Sequence, residues 1–202
     1  MTFFGASGHA KVVLEAWLAS GGQVTQLVDD NPSVGDLLGM KVRSNYNPEE
    51  LRDQPMIIAI GSNQIRKEIS KRIAANYQLV IHPSAIISPS VTLGDGTAVL
   101  ANVVTNASAN IGSHVILNTG CVVEHDCIVS DFVHIAPKAT LCGNVRIGEG
   151  THVGAGSTII QGIKVGKWAT IGAGAVVIND VPDYAIVVGV PGKIVKFDKP
   201  SS

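Results

Sequence analysis

In Val123-Glu124-His125-Asp126 an imidazole stands between two carboxylates. A carboxylate beside a histidine can fix the ring and stabilise its protonated form, as a general base requires when it takes a proton from an attacking nucleophile. The competing reading is a surface corner of alternating charge. The other five histidines, His9, His82, His114, His134 and His152, lack such flanks. Cys121, Cys127 and Cys142 are odd in number and lack CxxC spacing, so buried thiols are expected rather than disulfides or a zinc site. The histidines and cysteines also form no compact ligand cluster, which argues against metal-dependent chemistry.

Two glycine-bearing stretches could bind a ligand through their backbone. Gly5-Ala6-Ser7-Gly8-His9 and Gly61-Ser62-Asn63 each lead from an apolar run into helically spaced residues. Such turns expose N–H groups at the positive end of a helix, which suits phosphates, and an acid about twenty residues later, here Asp29 or Asp30, suits ribose hydroxyls. Gly5-x-x-Gly8 is shorter than the dinucleotide fingerprint, and alone it fits a purely structural turn equally well.

The elements that must position these residues fall into two parts. Residues 1–80 read as βαβ: a strand ending at Phe3-Phe4, a helix with Val12, Val13, Ala16 and Trp17 on one side, and a strand from Val24 to Val28. A second strand-turn-helix follows, with Pro55 to Ile60 as the strand and Ile65, Ile69, Arg72 and Ile73 at helical spacing. From Ile81 onward the period changes. An aliphatic residue recurs at every sixth position through Val177, with Thr105 the one departure, and a small or modest side chain follows four residues after each. Cys121 and Cys127 fall on those inner positions. A helix needs apolar residues three or four apart and an ordinary strand two apart, so a strict six predicts a parallel β-helix of hexapeptides over 81–182. Gly94, Gly112, Gly148, Gly154, Gly166 and Gly172, each just after an aliphatic residue, suit tight corners. Residues 183–202 are left as a tail.

Composition agrees with this division and bounds the partners. With 22 glycines, 46% apolar residues and 4% aromatics, the chain favours a narrow aliphatic core with many turns. Net charge is −1 and the 15 basic and 16 acidic residues are interspersed, so neither a nucleic-acid face nor a polybasic membrane patch is indicated. Apolar runs such as Met56 to Ile60 fall far short of the ~20 residues of a membrane span, and the N-terminus lacks a leader pattern. A cytoplasmic protein that meets small molecules or copies of itself is expected.

The hexads resemble those of left-handed β-helix acyltransferases, whose coils hold three hexads and which work as homotrimers. The GASGHAKVV opening, Val28-Asp29-Asp30-Asn31, Ala59-Ile60-Gly61-Ser62-Asn63 and the closing Gly189-Val190-Pro191-Gly192-Lys193 extend the likeness to the NeuD/PglD-like sugar O- and N-acyltransferases over nearly the whole chain. Within that family, the UDP-4-amino-sugar N-acetyltransferases of bacillosamine-type pathways fit best. The resemblance implies an acetyl-CoA-dependent acetyltransferase of nucleotide-linked sugars. Gly5, Ser7, Gly8 and His9 would meet the phosphates, Asp29 or Asp30 the uridine, and Gly61, Ser62 and Asn63 the same ligand.

The family also makes His125 the base and its neighbour the residue that orients it. That neighbour is a glutamate in the family and the shorter Asp126 here. With three hexads per coil, Gly143 lies one coil beyond His125 at the same corner, about 4.8 Å away, where its N–H could face the acetyl carbonyl. Asn118 matches a family position near the active site. His134 is half a coil from His125 on the opposite side of the prism, so a site using both must lie between subunits of a trimer. His152 stacks one coil from His134. Gly154, Ala155 and Gly172 leave a slim outer surface for the pantetheine arm, and Lys193 could approach the CoA phosphates. The alternatives are O-acetylation of a sugar hydroxyl, which the same base would serve, and a noncatalytic nucleotide-binding solenoid.

Overall fold

The structure is a computed structural model that describes residues 1–198. Its first part is a six-stranded sheet in the order β3-β4-β2-β1-β5-β6. The strands are β1 (Thr2–Phe4), β2 (Gln26–Val28), β3 (Asp36–Leu37), β4 (Met40–Arg43), β5 (Pro55–Ile58) and β6 (Asn76–Tyr77), with helices α1 (Gly8–Ala19) and α2 (Asn63–Arg72) between them. All pairings are parallel except the β3–β4 hairpin, which sequence periodicity did not show. Strands β2 and β5 are shorter than expected, beginning at Gln26 and ending at Ile58.

The helices bury only part of the faces expected, Val13 and Ala16 in α1 and Ile69 and Ile73 at α2. In α1 the buried residues are Ala10, Val13, Leu14 and Ala16, while Val12 is exposed. In α2 they are Ile69 and Arg66, and Ile65 is exposed. The physical reason for the second difference is that α2 packs against polar backbone at one corner of the solenoid, a surface that a guanidinium fits better than a methyl group.

From Val80 the chain forms seventeen two-residue strands at six-residue steps, ending with Val176–Val177. The second residue of each strand is the inward-pointing residue of the repeat, aliphatic everywhere except at Thr105. Val99, Ile111, Leu117, Val123, Val129, Ile135, Leu141 and Ile147 are all at most 1% exposed. Each strand as far as Thr158–Ile159 pairs in parallel with the one eighteen residues later, as Ala98 with Ile116 and Ile116 with His134. A coil is therefore three hexads and the solenoid has three flat faces.

The first face begins at Val80–Ile81 and runs through His134–Ile135 and His152–Val153. It is extended by Ala185–Val188 and closed by the antiparallel Lys193–Phe197. The second face begins at Ile86–Ile87 and the third at Thr92–Leu93. Cys121 and Cys127 are buried inner residues as expected, whereas Cys142 points outward and is only half-buried.

Stacking eighteen residues apart explains the corner glycines. A Cβ on Gly94 would lie 2.5 Å from the backbone of Gly112, and one on Gly148 would lie 2.6 Å from that of Gly166. Close approach of successive coils is what demands glycine at these positions.

Thr105 occupies an inner position at 1% exposure, and its hydroxyl has no hydrogen-bond partner. Valine has nearly the same shape without the unsatisfied oxygen. Thr105→Val is expected to stabilise the protein by about 1 kcal/mol. That corresponds to a rise in Tm of about 2–4 °C for a chain of this size, measurable by calorimetry.

Candidate active site

His125 and Asp126 follow an inner strand at the corner between the second and third faces. Asp126 has φ +61°, a conformation that short polar residues tolerate best, and Ser108, Asn144 and Gly162 hold it at the same corner of neighbouring coils. The shorter carboxylate still reaches the ring: Asp126 Oδ2 lies 2.8 Å from His125 Nδ1. With Nδ1 engaged, Nε2 is the nitrogen left to work, and both side chains are largely exposed.

Gly143 lies directly beyond. A Cβ there would stand 2.7 Å from both Cε1 and Nε2 of His125, so the imidazole folds over the space a side chain would fill. The neighbouring amides of Cys142 and Asn144 donate to Ile159 O and His125 O, both at 2.9 Å. Among the described residues the Gly143 N–H has no backbone acceptor. An imidazole nitrogen thus stands beside a residue whose N–H is not used by the backbone, and a base and an N–H donor are the groups acyl transfer uses at its attacking nucleophile and its developing oxyanion. Glu124 accepts a hydrogen bond from Asn106 Nδ2 at 2.9 Å.

A second group of candidates meets elsewhere. His134 and His152 are register partners on the first face, with ring centroids 4.9 Å apart. His9, at the start of α1, lies 6.0 Å from His134, and Asn118 Nδ2 is 3.0 Å from His134 Nε2. The fold therefore brings the Gly5–His9 and Gly61–Asn63 turns against Asn118 and His134 in one cleft. Burial lowers His134 to about 3, with His152, Arg66 and His9 adding to the effect, and lowers His9 to about 4, with Arg66 adding. His152 is lowered by the same causes, burial first and then Arg66. At neutral pH these rings are uncharged, each with one donor and one acceptor nitrogen. His9 Nε2 is buried and unpartnered.

The loops themselves divide into structural and open parts. Gly5 has φ +117° and its absent Cβ would meet Ile60 at 2.7 Å, so it is required by the fold. The Ala6 N–H donates to Asp29 Oδ2 at 2.7 Å, and the Asn31 N–H donates to Asp29 Oδ1 at 2.9 Å, so that carboxylate braces the turn. Gly8 faces open space, and Ser7, the N-cap of α1, makes no side-chain capping bond, with no acid in the first turn. Those features leave the α1 N-terminus open to an anion. Asp30 binds Tyr46 and the Arg72 guanidinium, the latter at 2.7 Å. Ser62 caps α2. The Asn63 side chain is committed to the solenoid, donating to Gly150 O at 2.9 Å and Thr151 O at 3.2 Å, which leaves its backbone for any ligand.

Asn118, Gly154 and Gly172 share one corner column, between the first and second faces. Gly154 is needed for coil contact, since a Cβ would strike Ile171 O at 2.5 Å, while Ala155 is exposed. Lys193 is exposed on the closing strand. Within one protomer the fold does not bring His125 and Gly143 together with Asn118 and His134, because they stand at different corners. Sequence reasoning missed Arg66, Lys67, Tyr46 and Tyr77, which tie the first part together or hold it to the solenoid. A charged residue on an amphipathic helix gives no signal of burial.

Among the described residues, no group of three or more His, Cys, Asp or Glu is placed to hold a metal ion. No helix among them is long and apolar enough to cross a membrane.

Comparison with known proteins follows the same two-part division. Residues 1–73 match the PglD N-terminal domain and residues 144–179 match the bacterial transferase hexapeptide (six repeats). A histidine variant of GDP-perosamine N-acetyltransferase from Caulobacter crescentus, in complex with CoA and GDP-perosamine, superimposes with a TM-score of 0.92. It is 39% identical, and the match covers 98% of this chain and 96% of that one. The acetyltransferase domain of PglB from Neisseria gonorrhoeae FA1090, in complex with acetyl coenzyme A, gives a TM-score of 0.86 at 37% identity, covering 96% and 98%. UDP-N-acetylbacillosamine N-acetyltransferase of Bacillus subtilis (strain 168) is 39% identical over 108 residues, 48% of this chain and 49% of that protein. The chain thus spans at most about half the length of the curated relatives it matches. The chain belongs to the PglD-like family of hexapeptide-repeat sugar acyltransferases.

Proposed function

We propose that this protein transfers the acetyl group of acetyl-CoA to the 4-amine of a nucleotide-linked amino-dideoxy sugar. The observation that carries the reading is the His125–Asp126 pair folded over Gly143, whose N–H has no backbone acceptor among the described residues. His125 Nε2 takes the proton of the attacking amine, Asp126 holds the ring and stabilises its charged form, and the Gly143 N–H bonds the carbonyl oxygen as charge develops there. Transfer forms the amide N–C bond and breaks the thioester C–S bond, with CoA leaving as the thiol. Residues 1–80 hold the nucleotide sugar through the Gly5–His9 and Gly61–Asn63 turns, with Asp29 and Asp30 nearby.

The site is completed by a second copy of the chain, arranged as a homotrimer in the cytoplasm. Two observations support this. His125 and the Asn118–His134 cleft stand at different corners of one protomer, yet both would serve one acetyl-CoA. The outer positions of the second face are largely apolar, including Ile86, Val104, Val122 and Val176. Gly154, Ala155, Gly172 and Lys193 then line the path of CoA along the coils.

The nucleoside has two candidates. The family resemblance and the Bacillus relative favour a UDP-linked sugar, whereas one of the neighbours that match nearly the whole chain is a GDP-perosamine enzyme. Thiol release from acetyl-CoA, followed with UDP- and GDP-linked 4-amino sugars and their 4-hydroxy counterparts, tests the proposal. Amines of one nucleotide series are expected to turn over fastest. Equal or greater turnover of the hydroxy sugars would refute N-acetylation in favour of sugar O-acetylation, and no turnover of either would favour a binding solenoid.

A further inference from the structure

Arg66 is the largest fully buried side chain, at 1% exposure, and no carboxylate is among its partners. Its guanidinium is satisfied by oxygens from both parts of the fold. Nε donates to His114 O at 3.1 Å, Nη1 to Ile60 O and Gly61 O at 3.0 Å each, and Nη2 to Asn63 Oδ1 and Phe132 O at 2.9 Å each. All five N–H groups are thereby used. His114 and Phe132 belong to one corner column of the solenoid, and their rings stack at 5.1 Å. The same column continues to Gly150, whose carbonyl Asn63 binds, and to Trp168, over which Lys67 stands at 5.2 Å. Burial alone pushes Arg66 down to about 9.

Burying a cation among carbonyls is a costly way to join two surfaces, and apolar residues of similar volume would do so more cheaply. What the fork supplies is direction. In a trans peptide the C=O and the following N–H point opposite ways. Because the Ile60 and Gly61 carbonyls are drawn inward to Arg66, the N–H groups of Gly61 and Ser62 face outward. Among the described residues these two amides have no backbone acceptor. They lie beside His9, since the space next to the Gly61 Cα opens on its Cβ at 3.8 Å.

We propose that Arg66 is a positioning residue for the nucleotide-sugar subsite. From inside the junction it aims the Gly61 and Ser62 N–H groups at the diphosphate and ties their turn to the solenoid coils that carry His134 and His152. This rests on the reading of residues 1–80 as the nucleotide-sugar-binding part.

The test uses Arg66→Lys, which keeps the charge but not the planar fork. Its KM for the nucleotide sugar is expected to rise about tenfold or more, the effect of losing aligned charge-assisted hydrogen bonds. The KM for acetyl-CoA should stay within about twofold, since no bond of that substrate is altered. A variant with a lower Tm but both constants unchanged would make Arg66 a stability residue and overturn the proposal. Should the variant fail to fold, the wild-type chain decides through amide hydrogen exchange with and without UDP or GDP. Slowed exchange at Gly61 and Ser62 on nucleotide binding supports the proposal. Nucleotide that binds without slowing them overturns it alone, whereas binding of neither nucleotide overturns the functional reading itself.

Discussion

His125→Ala is expected to fold and assemble as the wild type does, to bind acetyl-CoA, and to lose about a thousandfold in kcat. The size of the loss is the middle of the range for removing a positioned general base, about 10² to 10⁴. Retention of the fold follows from exposure: the His125 side chain is 62% exposed and makes no core contact, so its removal opens no cavity. The residual rate would come from the Gly143 N–H and from binding both substrates in one place. Steady-state kinetics with acetyl-CoA and the preferred amino sugar, beside a thermal melt and an acetyl-CoA titration, check each part. Unchanged turnover would remove His125 from the mechanism.

Gly143→Ala is expected to cost about a hundredfold in kcat while leaving the melting temperature nearly unchanged, again within the range for displacing a base and an oxyanion donor. The added methyl would stand 2.7 Å from His125 Cε1 and Nε2, closer than any Cβ contact allows. The ring is the mobile partner, so it swings outward and leaves the 2.8 Å bond to Asp126 Oδ2. Gly143 lies outside the positive-φ region in which an alanine would be strained, so alanine meets no backbone strain there. Rate and stability should therefore separate. A crystal structure of the variant would show the displaced imidazole, and a variant with the native ring position and full activity would refute the argument.

The solenoid was legible in the sequence because its rule is local. Each hexad places one aliphatic side chain inward, and every such residue from Ile81 to Val177 is the second residue of a two-residue strand. The coil length of three hexads, taken from family resemblance, appears in the structure as pairing of residues eighteen apart. The stacking of Gly143 on His125 is a consequence of that number. The helices of the first part were less legible. Val12 and Ile65 sat on the expected apolar faces yet are exposed, and Arg66 was passed over yet is buried. Helical spacing shows that a stripe exists, but the surface packed against it decides which side turns inward.

The amino-acid sequence by itself determined the repeat, the inward residues, the glycine-bearing turns and the imidazole flanked by acids, since each depends on neighbours within a few positions or on a fixed period. Tertiary structure alone decided that Asp126 reaches Nδ1 despite its shorter chain, that Asn63 is spent on the solenoid, and that His9, His134 and His152 share a neutral cleft. It also decided that Arg66 joins the two parts. Apart from the Asp126–His125 contact between chain neighbours, those facts depend on contacts between residues 16 to 125 positions apart, and no local preference in the chain encodes the distance between surfaces that meet only after both have folded.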